Sequence, residues 1–107
     1  MSPREALERL FASELGLERR PSGGGRRVGY FAGPHEVAHF HGELRLDVRL
    51  TRAVIGRKKA EHALDARVRT RGPSADWVSV TLSGAGELDL PLDLVRQAIQ
   101  TAEGAAR

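Results

Sequence analysis

Cysteine is absent from the chain. That excludes a disulfide framework, a thiolate metal site and a cysteine nucleophile, and it fits a reducing, cytoplasmic compartment. Long apolar runs are also missing. None approaches the roughly 18 residues that a membrane-spanning helix requires. The first 17 residues carry Arg4, Glu5, Glu8, Arg9 and Glu14, which leaves no room for the apolar stretch of a signal peptide. Gly23, Gly24 and Gly25 lack the lysine of a phosphate-cradling loop and follow no clear strand, so they read as a flexible connection. No internal repeat is present, and nothing in the composition calls for a cofactor.

What remains is an ordinary globular composition of 107 residues, 40% hydrophobic and 29% charged, enough for one domain spanning 1–107 with a modest core. The 17 Lys and Arg exceed the 14 Asp and Glu by only three. The basic residues cluster in separate segments: Arg19-Arg20, Arg26-Arg27, Arg57-Lys58-Lys59, and Arg67, Arg69 and Arg71. Such clusters can meet phosphates, yet a surplus of three gives a weak long-range field at physiological salt. Nucleic acid is therefore an unfavoured partner, with nonspecific DNA affinity weaker than about 10⁻⁶ M. An arginine-rich surface also arises from coding bias alone, in keeping with the abundant alanine and glycine.

Ser2-Pro3-Arg4-Glu5 has the form of a capping box with proline at the first helical position. Leu7, Leu10, Phe11 and Leu15 then make one apolar stripe, and Gly16 ends the helix. Residues 21–25 read as a loop. Strands are expected over 28–32, 36–41 and 44–50, the last alternating Leu44, Leu46, Val48 and Leu50 against Arg45, Asp47 and Arg49. Burial sets the hairpin register. With Ala38 and Phe40 on the leucine face, His39 lies opposite Asp47; a one-residue slip would bury both histidines instead. A helix capped by Thr51 is expected to about residue 64. Residues 65–71 fit either a loop or a short strand. A further alternating strand covers 77–82, and a final helix starts with Asp89 as cap and Pro91 in its first turn, fraying over 103–107. The order α-β-β-β-α-β-α predicts an α+β fold, a two-layer sandwich whose antiparallel sheet has helices on one face.

The other sheet face would then display His39, His41, Arg45, Asp47, Arg49 and Trp77, beside Ser79 and Thr81, with Tyr30 as a further candidate. On one strand His39 and His41 point the same way, about 7 Å apart. With Asp47 across the hairpin they could suit zinc or iron(II), although a hydrated histidine pair oriented by Asp47 is favoured and no metal is expected. Imidazole beside a carboxylate also suits acid–base chemistry, but no nucleophile accompanies it. Trp77, the one tryptophan, could stack on a flat ligand or fill the edge of the core. Arg67, Arg69 and Arg71 could line one strand face and grip phosphates, or keep an edge strand solvated.

Three stretches carry a family resemblance: Gly33-Pro34-His35-Glu36-Val37-Ala38-His39-Phe40-His41-Gly42, Leu46-Asp47-Val48-Arg49-Leu50-Thr51-Arg52, and Ser74-Ala75-Asp76-Trp77-Val78. The sequence resembles the small bacterial proteins of the luciferase family, over about residues 28–100. The resemblance carries no catalytic residue over. A looser similarity, in the last strand and helix, is to MmcQ/YjbR-like α+β domains, which implies the same fold class and suspected nucleic-acid binding. Three readings stay open: a binding or interaction domain that holds a small ligand or a second copy of the chain on the sheet face of His39, His41, Asp47 and Trp77; an enzyme using the same cluster; and a nucleic-acid binder using the arginines. The first is preferred.

Overall fold

The sheet is wholly antiparallel, and its six strands lie in the order β1-β2-β3-β4-β6-β5. A computed structural model describes residues 1–22, 27–70, 72, 75–84 and 87–105. Along the chain the elements are α1 (Pro3–Ser13), β1 (Glu18–Ser22), β2 (Arg27–Ala32), β3 (His35–Phe40), β4 (Arg45–Arg49), α2 (Arg52–Ala60), β5 (Val68–Thr70), β6 (Trp77–Thr81) and α3 (Asp89–Ala105). The fold is α+β, with the helices packed on the sheet, as the hydrophobic patterning predicts.

The helix α1 starts at the capping box. Ser2 Oγ accepts from the Glu5 amide at 3.1 Å, and the Glu5 carboxylate accepts from the Ser2 amide at 3.4 Å. That hydrogen bonding holds the Glu5 carboxyl below the usual carboxylate range. The helix stops where Gly16 takes φ +63°, a left-handed conformation that glycine enters without a Cβ penalty, and the Leu17 amide returns to the Phe11 carbonyl. Leu7 and Phe11 are fully buried. Phe11 meets Tyr30 edge-on at 5.1 Å and stacks on Phe40 at 5.9 Å, so α1 sits on β2 and β3.

Alternation sorts the sheet into two faces. Tyr30, Ala38, Phe40, Leu46, Val48, Val78 and Val80 join Leu7 and Phe11 of α1, Ile55 of α2 and Leu92, Val95 and Ala98 of α3 in one hydrophobic cluster. The hairpin of β3 and β4 pairs Ala38 with Val48, His39 with Asp47 and Phe40 with Leu46, the register that burial demands. Between Tyr30 and Phe31 the β2–β3 register shifts: Tyr30 pairs with Ala38 but Phe31 with Glu36. Val37 is the extra residue of this bulge, and both it and Ala38 are buried.

Several expectations need correction. Two strands add to the order, giving α-β-β-β-β-α-β-β-α. Pro21 and Ser22 belong to the edge strand β1 rather than to a loop, and residues 23–25 lie outside the described residues. Residues 68–70 form the opposite edge, β5. Leu44 is 59% exposed, because β4 begins only at Arg45 and the left-handed turn at Gly42 (φ +77°) carries residues 42–44 away from the core. Tyr30 faces the core, not the open sheet face. Its hydroxyl donates to Glu8 of α1, and burial, with that hydrogen bond and charge, pushes the phenol up to about 12.

The cap of α2 is also not the one expected. Thr51 has φ +79° and makes no side-chain capping bond. Instead Asp76, just before β6, reaches across: its Oδ1 accepts from the Arg52 amide at 2.8 Å, and its carbonyl accepts from the Thr51 amide at 2.9 Å. The helix itself ends at Ala60, short of residue 64. Asp89 is the first residue of α3 rather than its cap, and α3 runs to Ala105. Among the described residues no helix is long and apolar enough to cross a membrane.

Candidate functional site

On the sheet face away from the helices, one cross-strand row joins all six strands. Arg20 of β1 pairs with Gly29 of β2, Gly29 with His39 of β3, His39 with Asp47 of β4, Asp47 with Ser79 of β6, and Ser79 with Arg69 of β5. Because paired residues point to the same side, the sheet itself aligns these side chains.

Asp47 is the centre of the row and is only 3% exposed. Arg45, two residues earlier on the same strand, donates from Nε to Oδ1 at 2.9 Å and from Nη2 to Oδ2 at 3.3 Å. Ser79 Oγ donates to Oδ1 at 2.7 Å, and His39 Nε2 lies 3.2 Å from Oδ2. Burial pushes the Asp47 carboxyl up, but the hydrogen bonds from Arg45 and Ser79, with Coulombic attraction to Arg45 and His39, outweigh it and hold the group below the ordinary carboxylate range. A buried carboxylate is tolerated here because donors surround it.

His39 is held from every side. Its Nε2 also lies 3.3 Å from Arg27 Nη1, its Nδ1 lies 3.7 Å from Glu36 Oε1, and its ring sits 4.6 Å from that of Trp77 at a tilt of 42°. Glu36 occupies the space over Gly29: a Cβ at Gly29 would fall 1.9 Å from Glu36 Oε2. The glycine inside β2 is thus the seat of a carboxylate. His39 Nδ1 and Glu36 Oε2 are buried without a hydrogen-bond partner among the described residues. Gly29→Ala is expected to expel the Glu36 carboxylate from beside His39 and to cost about 1–2 kcal/mol. The same substitution in a Glu36→Ala background costs much less. Urea unfolding of the four proteins measures the coupling.

Beside this row opens a cleft of about 320 Å³ lined by Arg27, His39, His41, Asp47, Ala75, Asp76 and Trp77. His41 lies one residue beyond β3 and is exposed, its amide donating to the Arg45 carbonyl at 2.9 Å. Asp76, besides capping α2, lies 3.9 Å from Arg49 Nη2. The structure therefore brings His39, His41, Asp47 and Trp77 to one cleft, with Arg45 behind Asp47 and Arg49 beside Asp76. Arg27, Glu36, Gly29, Ser79 and Asp76 belong to the same arrangement. Alternation already places Ser79 on this face; of the other four, Gly29 is the one with a readable signal, an isolated glycine within a strand pattern.

The geometry limits the chemistry. Both nitrogens of His39 are directed at carboxylates, and Ser79 commits its hydroxyl proton to Asp47, so serine and histidine both converge on the aspartate and do not form a nucleophile–base pair. Among the described residues no three His, Asp or Glu side chains are placed to hold a metal ion. Of the arginine run, Arg67 and Arg69 are both exposed. Arg67 precedes β5 and is bound to Asp65 by its amide at 2.9 Å, its Nε at 3.0 Å and its Nη2 at 3.0 Å. These contacts hold the Asp65 carboxyl down, to about 2. Arg69 belongs to the cross-strand row, and Arg71 lies outside the described residues.

The Luciferase domain family model matches residues 34–98, well over half of the chain. The chain belongs to the Luciferase domain family. The matched segment contains β3, β4, α2, β5, β6 and the first half of α3, and so every residue of the row and cleft except Arg20, Arg27 and Gly29. Within the Luciferase domain the three recognisable stretches meet in space: the first supplies His39 and His41, the second Asp47 and Arg49, the third Asp76 and Trp77. Asp76 and Thr51-Arg52 are joined by the α2 cap. No curated protein and no solved structure matches the chain.

Proposed function

We propose that this domain is a binding module for a small planar anion, seated in the cleft beside Trp77 and His39. The observation that carries the reading is the charge balance of the cleft walls. Asp47 is saturated by Arg45, Ser79 and His39, and Asp76 is engaged by the Arg52 amide beside Arg49. Arg27 and His41 contact no carboxylate among the described residues. The lining therefore offers donors and positive charge to an occupant, together with the flat indole of Trp77. Its volume of about 320 Å³ lies at the small end of ligand sites, roughly 300–1,000 Å³.

Two alternatives are less favoured on the same face. A second copy of the chain would need an apolar central patch, whereas this row is built from Arg, His, Asp and Ser. Acid–base catalysis would rest on His41 alone, since both nitrogens of His39 face Glu36 and Asp47, and no nucleophile accompanies it among the described residues.

A thermal-shift comparison tests the reading. Aromatic carboxylates are expected to raise the melting temperature in a dose-dependent way, because a ligand that binds only the folded state stabilises it. Ring amines of the same size are expected to have no such effect. Trp77→Ala and Arg27→Ala should each weaken binding about tenfold or more, the scale of losing one stacked ring or one charge-assisted hydrogen bond. Equal stabilisation by amines and carboxylates, or undiminished binding by both variants, would show the reading to be wrong.

A further inference from the structure

On the far side of Asp47 the same sheet face forms a second cavity, of about 330 Å³, lined by Arg45, Arg69, Thr70, Ser79 and Thr81. It shares no lining residue with the Trp77 cleft. We infer that this cavity is a site for a phosphoryl group carried by a small molecule, with Arg45, Arg69 and Thr81 as its donors.

Register places the donors. Arg45 pairs with Thr81, and Arg69 with Ser79, so a guanidinium from each of β4 and β5 flanks β6 on one face. Arg45 is held in place: Nε and Nη2 are spent on Asp47, which leaves Nη1 without a hydrogen bond among the described residues. Arg69 is exposed and makes no hydrogen bond or ion pair among the described residues. Among the described residues no carboxylate lines the cavity. Asp47, which is bonded to two of the lining residues, already accepts from Arg45 and Ser79. The Ser79 hydroxyl proton goes to Asp47, so Ser79 offers lone pairs only, while Thr81 can donate. Two guanidinium groups and a hydroxyl arranged around an open cavity match an anion with several oxygens better than they match a two-oxygen carboxylate. An arginine pre-positioned by a buried aspartate loses little freedom when it binds, which favours a fixed site over diffuse attraction.

Amide and arginine side-chain NMR shifts, read at constant ionic strength, test the site. Inorganic phosphate and methyl phosphate are expected to shift Arg69, Ser79, Thr81 and the Arg45 Nε signal in a saturable way. Acetate and chloride should bind at least tenfold more weakly. Arg69→Gln is expected to weaken phosphate binding about tenfold, the loss of a charge-assisted hydrogen bond. Thr81→Val should weaken it less, and serves if Arg69→Gln disturbs the short edge strand. A Trp77→Ala variant should bind phosphate as the unaltered protein does, which separates this site from the neighbouring cleft. Equal affinity for acetate, phosphate shifts that do not saturate, or unchanged binding in both Arg69→Gln and Thr81→Val would each overturn the assignment. So would binding of a single-stranded oligonucleotide at these residues without binding of inorganic phosphate, since the partner would then be a polymer backbone.

Discussion

Asp47→Ala is expected to lower the free energy of unfolding by about 3 kcal/mol or more, the range seen when one partner of a buried ion pair is removed. The substitution strips acceptors from Arg45, Ser79 and His39 at once and leaves their donors facing a small apolar side chain. The loss should depend on pH with a definite sign. The folded carboxyl lies below its ordinary value of 3.8, so its contribution is fully present above that value. It fades as pH falls from there through the folded pKa. Urea unfolding at pH 7 should therefore show the full gap between Asp47→Ala and the unaltered protein. In increasingly acidic solution the gap should narrow, because the unaltered protein loses the same interaction by protonation. A gap that widens on acidification would mean that the carboxyl is raised instead, and that burial outweighs its donors.

Phe11→Ala should cost about 4 kcal/mol, within the span for removing a large aromatic side chain from a core. Phe11 has no exposed surface, and it bridges Tyr30 and Phe40, whose rings also meet edge-on at 6.0 Å. Its removal opens a cavity between α1 and the sheet that neighbours on β2 and β3 cannot fill without moving the hairpin. Leu10, on the margin of the same helix and only partly buried, should cost clearly less when changed to alanine. Chemical denaturation of both variants measures the difference. Similar small losses would mean that α1 is loosely docked and that the core lies mainly under α3.

How far the chain could be read without coordinates depended on how much apolar surface each element buries. Alternation in residues 45–49 and 77–81 is strong because β4 and β6 are central, with Leu46, Val48, Val78 and Val80 all buried. The edges were illegible for the opposite reason. Within β1, Glu18-Arg19-Arg20-Pro21-Ser22, only Ser22 is buried, and within β5 only Val68. Edge strands of this kind are charged, short or proline-containing because that discourages pairing with other chains. A hydrophobic pattern is what they lack. Leu44 misled because alternation continues past the end of a strand into a turn. The α2 cap was hidden because its donor and acceptor are 24 residues apart, with Asp76 substituting for the side chain of Thr51.

In the candidate site, the pairing of His39 with Asp47 followed from parity alone, since the wrong parity would bury two imidazoles. Ser79 and Trp77 fell on the same face by the same argument. Arg27 and Glu36 did not, because their approach to His39 depends on the bulge between Tyr30 and Phe31 and on the empty space above Gly29. No local propensity reports a space that a missing Cβ leaves for a residue on the next strand.

The most direct measurement of the central claim is amide chemical-shift mapping of the whole domain against a library of small planar anions. The account predicts saturable shifts concentrated at Arg27, His39, His41 and residues 75–77, with Trp77 indole N–H among the largest. Perturbations confined instead to the groove of Leu15, Leu17, His35 and Ile99, which shares no lining residue with the cleft, or none from any member of the library, would contradict it.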